Sequence, residues 1–197
     1  MREKEAIMPA SVLDRIRKLG DEPAALGGFA GGRPAAVLIP LLESPEGLEV
    51  LFEQRSSRLE IQPGEICFPG GGIETGEDPS AAALRETAEE LCVGKEQIEL
   101  LAGLDTLIGP TGAPIWSFAG LLRHYRHTWS EDEVAETFTV PLAWLLTHEP
   151  EVHMTTLVTV TGDDFPYELV PGGKDYPWAV KKNPVYFYRY GERVIWG

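Results

Sequence analysis

A glycine-rich loop followed directly by an acidic helix is the feature that most constrains how this sequence folds. The stretch FPGGGIETGEDPSAAALRETAEELCV, residues 68–93, contains three consecutive glycines at 70–72. Asp78 and Pro79 mark a helix start, because aspartate caps free backbone N–H groups and proline tolerates the first helical position. Gly94 is the predicted stop. The segment therefore predicts a loop that can approach a ligand closely and a short helix that follows it.

An apolar stripe on this helix is spaced to pack against a sheet. Its members recur every three or four residues and are Ala81, Leu84, Ala88 and Leu91. Several strand-like runs with few helices between them predict the α+β class, with helices packed on a mixed sheet.

Three carboxylates, Glu86, Glu89 and Glu90, share a second face of the helix. Like charges at this spacing repel, and Arg85, four residues before Glu89, cannot neutralise all three. A hard divalent cation with oxygen ligands would remove the repulsion, and a carbonyl of the glycine loop is available as a further ligand. The alternative interpretation is a solvated acidic helix face.

The spacing of these residues resembles the Nudix box, whose pattern is G-x5-E-x7-R-E-U-x-E-E-x-G-U, where U is aliphatic. Gly71, Glu77 and Arg85 occupy the first three fixed positions, and the three helix glutamates occupy the remaining charged ones. Two positions depart from the pattern: Thr87 stands at an aliphatic site, and Cys92 replaces the second glycine. Because every charged position matches, the stretch is identified as a Nudix box.

The resemblance implies a Nudix fold, an α/β/α sandwich with a mixed sheet, and hydrolysis of a nucleoside diphosphate linked to another group. It also implies the use of Mg²⁺ or Mn²⁺. The implied metal ligands are three side chains and one backbone carbonyl: Glu86, Glu89, Glu90 and Gly70. Arg85 would orient a glutamate, and Glu77 would support the loop and the helix. Metal ions suit this reaction because they neutralise the charge that develops on the bridging oxygens.

Residues 130–136, SEDEVAE, supply the candidate general base. In the family that the box resembles, the base sometimes lies in a later loop outside the box. Glu133 is the first candidate, ahead of Glu136 and Glu131. The predicted catalytic set is Arg85, Glu89, Glu90 and Glu133. The alternative for this cluster is a solvated turn before a strand.

The residues before the box, RSSRLEIQPGEICFPGG at 55–71, resemble the extension of coenzyme A pyrophosphatases in the Nudix family. That pattern is roughly L-L-T-x-R-[SA]-x3-R-x3-G-x3-F-P-G-G. The matching residues are Leu51, Arg55, Ser56, Gly64, Phe68, Pro69, Gly70 and Gly71. The departures are Phe52 for leucine, Glu53 for threonine and Glu60 for arginine. Glu60 reverses a charge, and Arg58 is the candidate to replace it.

The resemblance implies that CoA or an acyl-CoA is split to 3′,5′-ADP and a 4′-phosphopantetheine, with Arg55 and Arg58 as candidate phosphate contacts. Two alternatives stay open. One is a Nudix hydrolase acting on ADP-ribose, dinucleotide polyphosphates or modified nucleoside triphosphates. The other is a non-catalytic Nudix-fold binding module, although such modules typically lose carboxylates that this chain keeps.

The charge of the chain restricts its partners. The formal net charge is −14, from 31 acidic and 17 basic residues, and such a surface repels long nucleic acids. A small phosphorylated substrate is compatible, because a bound cation reverses the local sign. No long apolar run or secretory signal is present, and two cysteines form no disulfide framework, so we expect a cytoplasmic protein without a membrane partner. A homodimer is a further expectation.

The predicted organisation is an N-terminal extension at 1–34 and a Nudix hydrolase domain at 35–197. The extension would hold a helix at 10–20 and a loop rich in glycine and proline. The predicted strands are 35–42, 48–55, 98–108, 115–123, 151–160 and 184–190. A short helix is predicted at 141–148, and a long loop or lid at 161–184.

Overall fold

The computed structural model describes residues 33–109 and 112–197. The predicted helix at 10–20 lies outside the described residues, as does nearly all of the 1–34 extension. The strands are β1 (Ala35–Ser44), β2 (Gly47–Arg55), β3 (Ile66–Cys67), β4 (Gly70–Gly72), β5 (Ile98–Gly103), β6 (Leu107–Ile108), β7 (Pro114–Leu122), β8 (Val134–Pro141), β9 (Glu151–Leu157), β10 (Lys181–Tyr190) and β11 (Arg193–Trp196). The helices are α1 (Pro79–Glu90) and α2 (Leu142–Thr147).

An eight-stranded mixed sheet forms the centre of the described fold. Its main path runs β3–β2–β1–β7–β5, with β8 paired to β2, β4 to β1 and β6 to β7. The β1–β7 pair is parallel and the other pairs of this sheet are antiparallel. The predicted hairpin between β1 and β2 is present, with Ser44 opposite Gly47. The α+β class and the mixed sheet are confirmed.

Helix α1 covers one face of this sheet and packs on β1, β4 and β7. It begins as predicted, because the Asp78 carboxylate accepts the backbone N–H of Ser80 at 2.9 Å. At the other end, Leu91 is fully buried beside Leu38 and Leu51. The helix thereby holds its C-terminal turn against the middle of β1 and β2.

Two details of the α1 prediction were wrong. Ala81 is exposed, whereas Ala82 and Ala83 are fully buried against Ala36, so the buried stripe is displaced by one or two positions at its N-terminal end. The helix also ends at Glu90 rather than near Gly94. Cys92, at the place of the pattern's second glycine, adopts a φ of 52°, a left-handed conformation that glycine adopts more readily.

The second face of the sheet is covered by α2 and by a small antiparallel sheet of order β11–β10–β9. Trp144 of α2 and Tyr190 of β10 pack against a core of Phe52, Phe138 and their neighbours. In the described residues, the second outer layer is therefore a short helix with a small sheet. The predicted loop at 161–184 ends earlier, because 181–184 belong to β10 and pair with β9.

Neither described helix is long and apolar enough to cross a bilayer.

Candidate active site

The guanidinium of Arg85 connects the glycine loop to helix α1. Its Nε and Nη2 donate to the two carboxylate oxygens of Glu77, each at 2.9 Å, which is a bidentate pair. Nη2 also donates to the carbonyl of Gly72 at 3.1 Å. Nη1 donates to Glu86 Oε1 at 2.8 Å and lies 3.5 Å from Glu89 Oε2. One cation thus fixes the loop and orients Glu86.

The pairing with Arg85 changes the pKa of Glu77. The hydrogen bonds from Arg85 lower the pKa of Glu77 to about 2, and the backbone N–H of Glu74 acts in the same direction. The same contacts raise the pKa of the Arg85 guanidinium. The pair is therefore ionised throughout the physiological range, which suits a structural connection.

The Glu86 carboxylate lies directly on the glycine loop. A Cβ added at Gly71 would stand 2.5 Å from Glu86 Cδ and 2.7 Å from its Oε2. Gly70 adopts a φ of +151°, and an added Cβ there would collide with the Ala36 carbonyl oxygen. Glycine is needed at position 70, where the loop meets the backbone of β1, whereas a side chain at position 71 would displace the Glu86 carboxylate.

Glu90 differs from its two neighbours on the helix because it is 4% exposed. Its Oε2 accepts the backbone N–H of Gly70 at 2.8 Å. Burial raises the pKa of Glu90, and the charges of Glu53, Glu133 and Glu86 raise it further, whereas the hydrogen bond from Gly70 acts in the opposite direction. By contrast, 61% of the Glu89 side chain is exposed. Glu89 is therefore the carboxylate with most freedom to rotate.

Glu53 is a site residue that the sequence interpretation did not select. It lies on β2 and is 1% exposed, and its Oε2 has no hydrogen-bond partner within the described part of the chain. Burial raises the pKa of Glu53, and the nearby charge of Glu133 also raises it. Its only sequence signal was the departure from the threonine of the coenzyme A pattern.

Glu133 lies close enough to the two buried carboxylates for its charge to act on both. Its loop is attached to the end of α1: the Ser130 N–H donates to the Glu90 carbonyl at 2.7 Å, and the Thr128 hydroxyl donates to the Leu91 carbonyl at 2.7 Å. The Glu133 carbonyl in turn accepts the Ser56 N–H at 2.8 Å. These contacts hold the predicted base beside the box.

The two predicted phosphate contacts lie on the β2–β3 connection. Arg55 donates from Nε to the Ile61 carbonyl at 3.4 Å, and its charge lowers the pKa of Glu53. Arg58 donates to the Glu131 carbonyl and lies 3.4 Å from the Asp132 carboxylate. Glu60 is exposed on the same connection. Arg58 thus contacts the acidic 130–136 cluster.

The donor set fits a hard divalent cation, although the side chains do not converge on one point. Glu90 is buried among the charges of three other carboxylates, and the unpartnered Oε2 of Glu53 adds to this unbalanced negative charge. Within residues 33–109 and 112–197, no group of three His, Cys, Asp or Glu side chains is already arranged to hold an ion. Coordination by Glu86, Glu89 and Glu90 together requires side-chain rotation.

Gly71→Ala is expected to lower Mn²⁺ affinity by about 10-fold, because the added Cβ displaces the Glu86 carboxylate from its position on the loop. The free Mn²⁺ signal in electron paramagnetic resonance measures this affinity without substrate. Gly103→Ala is the matched control, since the nearest contact of its added Cβ is Phe118 at an ordinary 3.7 Å. An unchanged Mn²⁺ affinity in the folded Gly71→Ala protein would contradict the role of Glu86.

The fold and the site together define an α+β protein with a carboxylate-rich centre at the junction of a glycine loop and a helix. Residues 32–160 match the family model described as NUDIX domain. The chain belongs to the Nudix family, and the comparisons with its relatives agree with the prediction of a Nudix pyrophosphohydrolase.

Two curated relatives are each 37% identical to this chain. The peroxisomal coenzyme A diphosphatase NUDT7 of Mus musculus aligns over 134 residues, which is 66% of this chain and 55% of the mouse protein. The Nudix hydrolase NudL of Citrobacter koseri aligns over 146 residues, covering 72% of this chain and 73% of that protein. The match therefore spans just over half the length of the mouse relative.

Two solved structures align with part of this chain. An Ap4A hydrolase of C. elegans in a binary complex is 24% identical, with a TM-score of 0.48, and the match covers 55% of this chain and 80% of that one. The Nudix hydrolase RenU of M. smegmatis is also 24% identical, with a TM-score of 0.47, over 58% of this chain and 73% of that one.

Proposed function

We propose that this protein hydrolyses the diphosphate of CoA or an acyl-CoA, giving 3′,5′-ADP and the corresponding 4′-phosphopantetheine. The observation that carries the proposal is the buried Glu90 carboxyl group, which lies against the glycine loop among other carboxylates, an arrangement that a bound cation would stabilise. The substrate class is supported by the similarity to a coenzyme A diphosphatase and by the matching residues of the 55–71 extension.

Each residue has a separate role in this proposal. A divalent cation, Mg²⁺ or Mn²⁺, would be held by Glu86, Glu89, Glu90 and the Gly70 carbonyl, and would supply charge neutralisation and an acidified water. Arg85 positions Glu86 and the loop through the contacts described above. Glu133 takes a proton from the attacking water, as a general base on a loop fixed to the helix end.

Recognition of the substrate falls to the β2–β3 connection. Arg55 and Arg58 bind phosphate oxygens, and Arg58 exchanges its contacts with the 130–136 cluster for the substrate. Because 63% of the Arg58 side chain is exposed, this exchange requires little unpacking. Glu60 opposes phosphate binding if it turns towards the substrate, so CoA specificity depends on Arg55 and Arg58.

The test is hydrolysis of CoA, acetyl-CoA, ADP-ribose and diadenosine tetraphosphate, each with Mg²⁺ and with Mn²⁺, followed by mass spectrometry of the products. We expect 3′,5′-ADP from both CoA compounds and a higher kcat/KM for them than for the other substrates. Reaction in H₂¹⁸O then shows which phosphorus atom water attacks, because the label stays on that phosphate.

The other possible outcomes of this assay would assign a different function to the chain. Faster hydrolysis of ADP-ribose or diadenosine tetraphosphate would contradict the CoA assignment and indicate another Nudix activity. No turnover of any substrate with either metal would contradict catalysis and favour a binding module. The cytoplasmic location and the homodimer remain predictions.

A further inference from the structure

Strand β2 buries a carboxylate that the Nudix box does not account for. Glu53 is 1% exposed, and within the described part of the chain its Oε2 accepts no hydrogen bond. Its Oε1 is 3.6 Å from Cys67 Sγ, a weak donor directly opposite it on β3. A buried ionised carboxylate with so little compensation is strongly unfavourable, so this position requires a partner.

The side chain of Glu53 faces the box. Leu51 lies two residues earlier on β2 and packs with Leu91 at the end of α1, and residues two apart in a strand share a face. Val50 and Phe52 pack on the opposite face. Glu53 therefore projects between β2 and the C-terminal turn of α1, where its charge interacts with that of Glu90.

The neighbouring groups do not supply the missing partner. Arg55 influences Glu53 electrostatically, but its Nε is directed to the Ile61 carbonyl, and no described cation lies within ion-pair distance of Glu53. The Cys67 thiol is itself buried, and burial raises its pKa, so it stays a neutral donor. Glu90 and Glu133 add negative charge. Protonation would remove the charge of Glu53 but would still leave Oε2 without a hydrogen-bond partner among the described residues. A positive ion between these carboxylates would compensate both.

We propose that Glu53 is a further ligand of the divalent cation, contributed by the sheet from outside the glycine loop and helix. The inference rests on the metal use stated under the proposed function. The pattern of the 55–71 resemblance has a neutral threonine at this position. This chain therefore carries one more carboxylate oxygen donor at the site than that pattern specifies, and oxygen donors are what Mg²⁺ and Mn²⁺ prefer.

The experiment compares Mn²⁺ binding by the wild type, Glu53→Gln and Glu49→Gln, without substrate. Glu49 is the control because it lies on the same strand, four residues before Glu53 and therefore on the same face. We expect Glu53→Gln to lower Mn²⁺ affinity about 10-fold, and Glu49→Gln to leave it unchanged. The rise in thermal midpoint that Mn²⁺ produces should shrink in Glu53→Gln alone, because weaker binding stabilises the folded state less.

Water-proton relaxation reports how many water molecules coordinate the bound Mn²⁺. It therefore distinguishes the loss of a direct ligand from a change in the charge near the ion. Loss of a protein ligand adds a coordinated water in Glu53→Gln, whereas an unchanged hydration number would overturn direct ligation. If Glu53→Gln does not fold, Glu53→Thr carries the residue of the resembled pattern and takes its place.

The outcomes also separate this inference from the proposed function. If Glu86→Gln weakens Mn²⁺ binding and Glu53→Gln does not, the role of Glu53 is overturned and the metal site of the box stands. If the wild type binds no Mn²⁺, the metal-dependent function falls and this inference falls with it.

Discussion

Glu90→Gln is expected to lower kcat by about 10²–10³-fold with the fold intact. Glutamine has the shape of glutamate, and its side-chain carbonyl can still accept the Gly70 N–H that Glu90 accepts at 2.8 Å. The change therefore removes negative charge from the centre of the site while keeping its main hydrogen bond. The measurement is steady-state hydrolysis of CoA with saturating Mg²⁺ or Mn²⁺, beside far-ultraviolet circular dichroism of both proteins.

Glu96→Gln is the matched control, since Glu96 is exposed on the turn that follows α1. It should retain wild-type kcat. Wild-type kcat in folded Glu90→Gln, with metal present, would show that the buried carboxylate has no part in the reaction.

Arg85→Lys should lower kcat by about 10–100-fold even though the positive charge is kept. An ammonium group cannot reproduce the planar fork that contacts both oxygens of Glu77, the Gly72 carbonyl and Glu86. Glu86 would then lose its orientation on the loop. Arg123→Lys is the control, because Arg123 pairs with Glu99 and Glu43 on the exposed surface. Equal kcat values for wild type and Arg85→Lys would contradict the positioning role.

Arg85→Lys should destabilise the folded protein more at neutral pH than at acidic pH. Arg85 lowers the pKa of Glu77 in the folded state from the ordinary 4.5 to about 2. A lowered folded-state pKa stabilises the protein above the unfolded-state value, and that stabilisation is lost as the pH falls through the folded-state value. The free energy of unfolding should be higher for the wild type than for Arg85→Lys, and this difference should be largest near neutral pH. The difference should shrink as the pH falls from 4.5 to 2. Urea titrations across this range measure it.

Local sequence chemistry predicted the elements whose signals are local. The turn residues between β1 and β2 predicted their hairpin, and Asp78 with Pro79 predicted where α1 begins. The succession of strand-like runs with few helices between them predicted the mixed sheet, and the family resemblance implied it as well. The glycine loop is predicted to approach a ligand, and in the structure it lies close to β1 and to the side chains of Glu86 and Arg33. The roles of the site residues stay predictions that the variants above test.

Other details depend on tertiary contacts that no local pattern encodes. Ala81, Ala82 and Ala83 are identical in chemistry, so only packing against Ala36 decides which of them are buried. Cys92 takes the left-handed conformation at the end of the helix, where the Val93 N–H donates to the Ala88 carbonyl at 3.0 Å and both Leu91 and Val93 pack on the core. In the sequence, Glu53 is only a departure from a pattern. Its burial could not be predicted, because a charged residue in a strand is buried only when another element, here the helix, packs above it.

The attachment of the Thr128–Glu133 loop to the last carbonyls of α1 has a consequence for how such enzymes diversify. The candidate base is tethered to the helix that carries the box, and the Tyr125 hydroxyl also donates to the Thr128 carbonyl at 2.6 Å. The two contacts to α1 do not involve residues 123–127, so evolutionary change in this segment can leave the candidate base attached to the helix while the outer loop varies.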